Sequence, residues 1–471
     1  MKFKTLIALS ASFATIGGAT AGQAQSAAQQ HPQIVAEFGG TVDQHRASYV
    51  AGVGNRVAAH AGSRGAYTFT ALNSPVMNAF AVPGGYVYIT RQLMGLMNDE
   101  AELASVLGHE VGHIAANHHG GRQQQGLLGQ LLTVGAAILT GSSQIGQLVG
   151  QAAQLRLLSY SRNQEFQADE LGMRYMTGAG YDPLAAASLL ASLGAATSLE
   201  ARAAGRNDER SVPSWARTHP LSADRVARAT QRARTSGAAG RGVRNRDQYL
   251  SMLDGVIIDD DPEQGIVEGR NFLHPDMRLA FTVPQGYGMQ NGVRAVSVTG
   301  SNGQAQFSGG RYSGDLGTYI AQVFRSLGGQ QAQIPYSQPR STTINGIPAA
   351  YSTARVQTQQ GVVDVSVFAY RFDANSTYHF ATITRGGSGL GPFQSMVTSV
   401  RRLSANEAAA IRPRVIDVVT VRPGDTIQSL AGRMAYQDLK VERFMTLNGL
   451  QANSQLTPGQ RVKVVVYGTR V

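Results

Sequence analysis

The strongest constraint on this chain lies between Leu103 and His119. There the pattern His109-Glu110-Val111-Gly112-His113 sits inside an apolar, helix-like run. A helix turns by about 100° per residue, so His109 and His113 lie about 40° apart, with Glu110 in the same wedge. Two imidazoles one turn apart can grip one metal ion, and the carboxylate beside the first can reach a water held there. Asp99, Glu100 and Glu102 mark the start of this helix, where acidic side chains suit the positive end of the dipole. Five-residue patterns also arise by chance, so the chain must supply a third ligand, a cleft and a plausible compartment.

Downstream, Leu155 to Met176 reads as one long helix carrying Glu165 and Asp169 one turn apart. That pair offers a carboxylate ligand, together with a second carboxylate to hydrogen-bond a ligand imidazole or meet the substrate. There is no cysteine among the 471 residues. Disulfides, thiol catalysis and lipidation of an N-terminal cysteine are therefore excluded, and the ligands must be His and carboxylate. His118 and His119 fall on the helical wheel away from the His109/His113 wedge and read as surface residues.

Upstream, Thr41 to Ala61 has helical periodicity, and Tyr67–Leu72 and Tyr86–Thr90 alternate like strands. Asn78-Ala79-Phe80-Ala81-Val82-Pro83 is a short extended segment closed by Gly84-Gly85. As an edge strand beside a metal it could pair with an extended peptide, which makes Asn78, Ala79 and Phe80 candidate substrate contacts. After the second helix, Asp182-Pro183 starts a third, and Glu200 to Pro213 reads as a polar loop. Trp215, the only tryptophan, precedes His219-Pro220 and a helix containing Arg225. An isolated histidine before a proline is ordinarily a loop residue.

The net charge of +11 comes almost wholly from arginine, and the richest stretch, Arg225 to Arg246, interleaves it mainly with Ala and Gly. That is a solvated face and linker, so no nucleic-acid partner is expected. At the N-terminus, Lys2 and Lys4 precede an apolar run from Leu6 to about Ile16 and small residues ending at Ala21 or Ala24. Residues 1–24 read as a signal peptide, too short and broken to be a transmembrane span. Gly126 to Gly150 is apolar and uncharged, and suits a buried hairpin, a mobile lid or a membrane-surface element with peripheral membrane contact.

Taken together, Asn78–Gly85, Gly108–His113, Glu165-x-x-x-Asp169 and Thr218-His219-Pro220 with Arg225 resemble a zinc metallopeptidase family. It is the family that includes the CAAX prenyl protease and the HtpX-type heat-shock protease, and the likeness is to its periplasmic branch. The match covers roughly residues 40–255. It implies one Zn2+ per chain held by His109, His113 and Glu165, with Glu110 as general base and Asp169 as proton donor or supporting carboxylate. It further implies His219 as a movable fourth ligand or gate, Arg225 as a substrate or oxyanion contact, and a periplasmic location.

Residues 263–405 read as a separate α+β accessory domain, an antiparallel sheet with helices on one face, after an Asp259–Asp261 run that reads as a solvated linker. Residues 412–468 follow a strand, turn, helix, helix, turn, strand order, with Val419–Ile427, Leu447–Leu450 and Leu456–Val462 as landmarks. They resemble the LysM module, which implies peptidoglycan as a partner. The expected architecture is thus multidomain. A mainly α, zincin-type (gluzincin) peptidase domain with a small β-sheet spans 25–262. The α+β domain and a small βααβ LysM-like domain follow it. The expected activity is an exported zinc metalloendopeptidase acting on polypeptide substrates, namely misfolded or envelope proteins. The alternatives are a zinc hydrolase of peptidoglycan cross-links and a chaperone-like binding protein with a latent zinc site.

Overall fold

The computed structural model describes residues 27–62, 67–82, 84–118, 160–203, 215, 218–219, 223–328, 334–358 and 361–469. Residues 1–24, expected to be a signal peptide, the apolar stretch 126–150, Pro83, His119 and Pro220 lie outside the described residues. The chain divides into two compact units, one built from the segments before Pro262 together with the tail from Arg412, the other spanning Pro262–Ile411.

In the first unit, Thr68–Leu72 runs parallel to the central strand Tyr86–Thr90, and Ala79–Val82 pairs antiparallel on its other side. Ala79–Val82 is therefore an edge strand. The motif helix, Glu100–Ala115, is capped by Asp99, whose side chain accepts from the Glu102 backbone. Every residue from Glu100 to His113 except Ser105 is buried, so the helix is wrapped on all sides. Its first-turn acids do more than face the dipole. Glu100 accepts hydrogen bonds from Tyr49, Tyr181, Arg56 and Asn245, and Glu102 from the Asn98 backbone and Ser188.

The second helix is Arg162–Gly178, and it does not run back through Tyr160. Ser161 and Gln164 form a reciprocal capping box that starts it there. It crosses the motif helix at glycine-width spacing. A Cβ on Gly172 would lie 2.7 Å from the His109 backbone nitrogen, and one on Gly112 would lie 3.0 Å from the Ala168 carbonyl oxygen. The third helix, Leu184–Ala203, continues into the stretch expected to be loop. It is the one described helix long and apolar enough to cross a membrane by length and composition, but Leu189, Leu190 and Leu193 are buried in the unit's core.

The tail does not stand apart as its composition suggests. Its strands Arg414–Thr420 and Arg461–Tyr467 pair with each other, and Ile257–Ile258 completes the sheet on the free edge of the first. Ile258 and Ile416 close on Gly95, and tail residues from Ile416 to Val465 join the same hydrophobic core as the motif helix. Lys463 is fully buried and donates to the carbonyls of Gly95, Leu96 and Met97 at 2.7, 3.2 and 2.6 Å. These carbonyls close the short helix Arg91–Leu96, where Met94 accepts from the Met97 N–H and Leu96 from the Asn98 amide besides the lysine. The Asp259–Asp261 run is likewise no solvated linker. Asp259 is held by Arg414 and Tyr436, its carbonyl accepts from the buried Arg91, and Asp261 is buried.

The second unit carries a seven-stranded antiparallel sheet and a four-stranded one. Helices lie on both faces of the larger sheet, not on one. Leu316–Gly328 packs over Val365, Val367 and Ala369, while Met396 and Val397 of the short helix Gln394–Thr398 join Phe368, Tyr370 and Phe380 on the opposite face. The cause is the strand Gly361–Asp373, which is buried on both sides over most of its length.

Replacing Lys463 by Met removes the donor to the Gly95 and Met97 carbonyls, while Leu96 keeps the Asn98 amide. We expect the first unit to lose about 1–3 kcal/mol, the cost of leaving buried polar groups unsatisfied. Denaturant unfolding read by the Trp215 signal measures it, and an unchanged midpoint would show that the tail is not held by this contact.

Candidate metal centre

The helix crossing aims four side chains at one point. His109 Nε2 lies 3.0 Å from His113 Nε2 and 3.2 Å from His219 Nδ1, and Glu165 Oε1 lies 3.0 Å from His219 Nδ1 and 3.4 Å from His113 Nε2. All four residues are buried, and their ligand atoms lie within 4.8 Å of one another. On its far side His109 Nδ1 meets Asp169 Oδ1 at 2.9 Å. A carboxylate accepts only, so Nδ1 carries the proton and Nε2 turns a lone pair toward the cluster. Lone pairs crowded at such distances in a dry pocket repel unless a cation lies among them, and two imidazoles with a carboxylate suit zinc. The residues therefore fit a metal ion.

Glu110 completes the site. It is fully buried, its Oε1 lies 3.5 Å from His219 Nε2, and neither carboxylate oxygen has a hydrogen-bond partner among the described residues. Burial pushes its carboxyl up, against the pull of His219 and His109. Burial acts the same way on Glu165 and Asp169, but there neighbours win. The adjoining His219 and His113 rings hold Glu165 well below the usual carboxylate range, and hydrogen bonds from His109 and Arg225 lower Asp169. The three carboxyls are thus pushed apart, leaving Glu110 the one suited to carry a proton.

Asp169 has both oxygens occupied, by His109 and by Arg225 Nε and Nη2 at 2.8 and 2.7 Å, which suits the supporting carboxylate of the two roles expected of it. Arg225 is 2 % exposed and also pairs with Glu165 at 2.7 Å, so its guanidinium clamps the two carboxylates, and it lines the cavity beside His109. At the edge strand, Asn78, Ala79 and Phe80 are buried, Phe80 stacking on Tyr88. Their side chains are turned inward, which leaves only backbone groups to meet a peptide. No described strand pairs with the outer edge of Ala79–Val82.

Three aromatic or imidazole partners were not singled out for the site by sequence. Trp215 stacks on His219 with ring centroids 4.2 Å apart, and its backbone N–H donates to the Met77 carbonyl, just before the edge strand. Tyr160 stacks on His113 at 3.7 Å, and its N–H donates to the Thr218 carbonyl. His118, expected on the surface, is buried with Nδ1 2.8 Å from His113 Nδ1. The wheel fails for it because the helix has already ended. Asn117 takes a left-handed conformation, φ 53°, and turns the chain back. An Asn just past a helix end was the available signal. On the other side of His109, a cavity is lined by Val106, Met173, Leu189 and Leu193, apolar up to Asp169 and Arg225.

A His-x-x-x-His pair and a carboxylate brought together by two crossed helices, with a buried Glu beside them, fit a hydrolase-type metal centre. Residues 44–233 match the peptidase family M48, and residues 419–465 match the LysM domain. The chain therefore carries an M48 peptidase domain and, near its C-terminus, a LysM domain. It is 32% identical over 197 residues to the β-barrel assembly-enhancing protease of Yersinia pestis, covering 39% of this chain and 38% of that relative. The protein of that name in Escherichia coli K12 is 30% identical over 197 residues, with the same two shares. The mitochondrial metalloendopeptidase OMA1 of Arabidopsis thaliana is 33% identical over 124 residues, 26% of this chain and 25% of that one. The chain thus spans less than two fifths of the length of each of these relatives.

Replacing Arg225 by Leu leaves Glu165 and Asp169 as uncompensated buried charges. The expected cost is about 3–5 kcal/mol of stability, with Arg225→Lys recovering only part of it because the forked contact is lost. Chemical unfolding of the metal-free protein reads both.

Proposed function

We propose that the protein is an exported, zinc-dependent endopeptidase that acts on misfolded or envelope polypeptides in the periplasm. The observation that carries this reading is the convergence of His109, His113 and Glu165 around one point, with the buried carboxyl of Glu110 beside it. The M48 match and the metalloendopeptidase names of relatives support it. In this reading the peptidase domain has the zincin-type arrangement, with His109, His113 and Glu165 as ligands.

A zinc ion bound there would supply Lewis acidity to water and to the scissile carbonyl. The chain's own residues do the rest. Glu110 takes a proton from the attacking water and passes it to the leaving amine, a task suited to a carboxyl that burial has pushed up. Asp169 fixes the His109 tautomer, and Arg225 keeps Asp169 and Glu165 ionised and in place. The edge strand Ala79–Val82 aligns the peptide through its backbone. His219 occupies the cluster in a resting, closed arrangement pinned by the Trp215 stack. Opening the site means withdrawing that histidine.

The LysM domain favours a second reading, a zinc hydrolase of peptidoglycan cross-links, and in either case the tail would bind peptidoglycan. The loops around Arg422–Gly424 and Gln451–Asn453 stay exposed although the tail is docked, so a glycan can reach them. A chaperone-like binder with a latent site has less support, since the buried carboxyl of Glu110 would then have no use.

The purified mature protein should contain one zinc per chain and cleave casein. Glu110→Gln should lower turnover by about 10²–10⁴-fold, the span of general-base catalysis, without losing zinc. Release of muropeptides from sacculi with casein intact would favour the cell-wall reading, and full turnover in Glu110→Gln would sink the mechanism.

A further inference from the structure

The two histidines of the motif are supported unequally. His109 Nδ1 rests on a carboxylate, Asp169, at 2.9 Å. His113 Nδ1 rests on another imidazole, His118 Nδ1, at 2.8 Å. The other nitrogen of that ring, His118 Nε2, lies 3.0 Å from the amide oxygen of Gln167. Gln167 sits on the second helix between Glu165 and Asp169.

With the Gln167 amide oxygen facing the ring, this chain of contacts has one consistent proton order. An amide oxygen only accepts, so His118 carries its proton on Nε2 and presents a bare Nδ1. The partner across 2.8 Å must then be the donor, so His113 carries its proton on Nδ1 and turns a bare Nε2 to the cluster. The reverse order would leave Gln167 Oε1 facing a second lone pair. His118, outside the four-residue cluster and touching it only through His113, thereby selects the tautomer in which His113 can ligate.

The backbone is built to deliver it. After Ala115 the His118 N–H returns to the His113 carbonyl at 3.0 Å, and the Asn117 N–H to the Ile114 carbonyl at 3.0 Å. These are the paired bonds of a Schellman ending, with Asn117 in the left-handed position. The turn folds His118 back over the ring five residues before it. Gln164 adds a weak tether, its amide lying 3.5 Å from the His118 carbonyl.

We propose that His118 and Gln167 are positioning residues for the metal centre, a histidine-to-amide relay that fixes the orientation and tautomer of His113. The proposal deepens the zinc-site reading and rests on it. An outer partner of this kind contributes about 10- to 100-fold to metal affinity.

The test is zinc affinity by chelator competition and the visible spectrum of the Co2+-substituted protein, for wild type, His118→Ala, His118→Asn, Gln167→Ala and Glu165→Ala. His118→Ala should bind zinc about 10- to 100-fold more weakly and shift the Co2+ bands, with the metal-free protein still folded by circular dichroism. His118→Asn, which restores an acceptor for His113 Nδ1, should recover most of the affinity, and Gln167→Ala should lose less than His118→Ala. Wild-type affinity and spectrum in His118→Ala would overturn the proposal, as would equal losses in the Ala and Asn variants, which mark mere packing. If wild type itself bound no better than Glu165→Ala, the zinc reading would fall and the relay with it.

Discussion

The site exists because two helices touch backbone to backbone. Gly108 and Gly112 on the motif helix face Ala168 and Gly172 on the second, at distances that leave no room for a further carbon at Gly172. Interiors are close-packed and do not yield to an added methyl without displacing something. Here the thing displaced would be the helix carrying Glu165, Gln167 and Asp169. The same crossing that brings Glu165 to the histidines brings Asp169 behind His109 and Gln167 behind His118. One contact thus sets the inner and outer layers of the centre together.

Charge does the next part of the work. Three carboxylates and three histidines share a nearly dry volume, and a guanidinium that cannot lose its proton lies across two of the carboxylates. Glu165 and Asp169 are lowered because they have donors, and Glu110 is raised because it has none among the described residues. Identical chemical groups acquire different tasks from their neighbours alone.

The tail extends the same logic. A six-residue helix, Arg91–Leu96, ends on carbonyls that the following residues satisfy only in part, and the ammonium of Lys463 donates to Gly95 and Met97. A buried lysine is costly, and burial pulls its pKa well down, yet a single such group joins the LysM domain to the segment just ahead of the motif helix. The domain that would meet a glycan and the helix that would hold a metal therefore belong to one hydrophobic core.

By itself the sequence determined the chemistry: a His-x-x-x-His pair at helical spacing, a carboxylate pair one turn apart, and no cysteine to compete. These are local facts, set by a rise and a period that every helix shares. The small sheet, the antiparallel sheet of the second unit and the LysM order were legible for the same reason. Tertiary structure decided what lies beyond one element's reach. It turned Arg225 inward, placed Trp215 against His219 and made Asp169 a support. It also buried Asn78–Phe80, put helices on both faces of the larger sheet and bound the tail into the peptidase unit. His118 marks the boundary between the two. Its residue type and the Asn before it were in plain view, but the wheel that placed it on the surface assumes a helix that continues, and this one stops at Ala115.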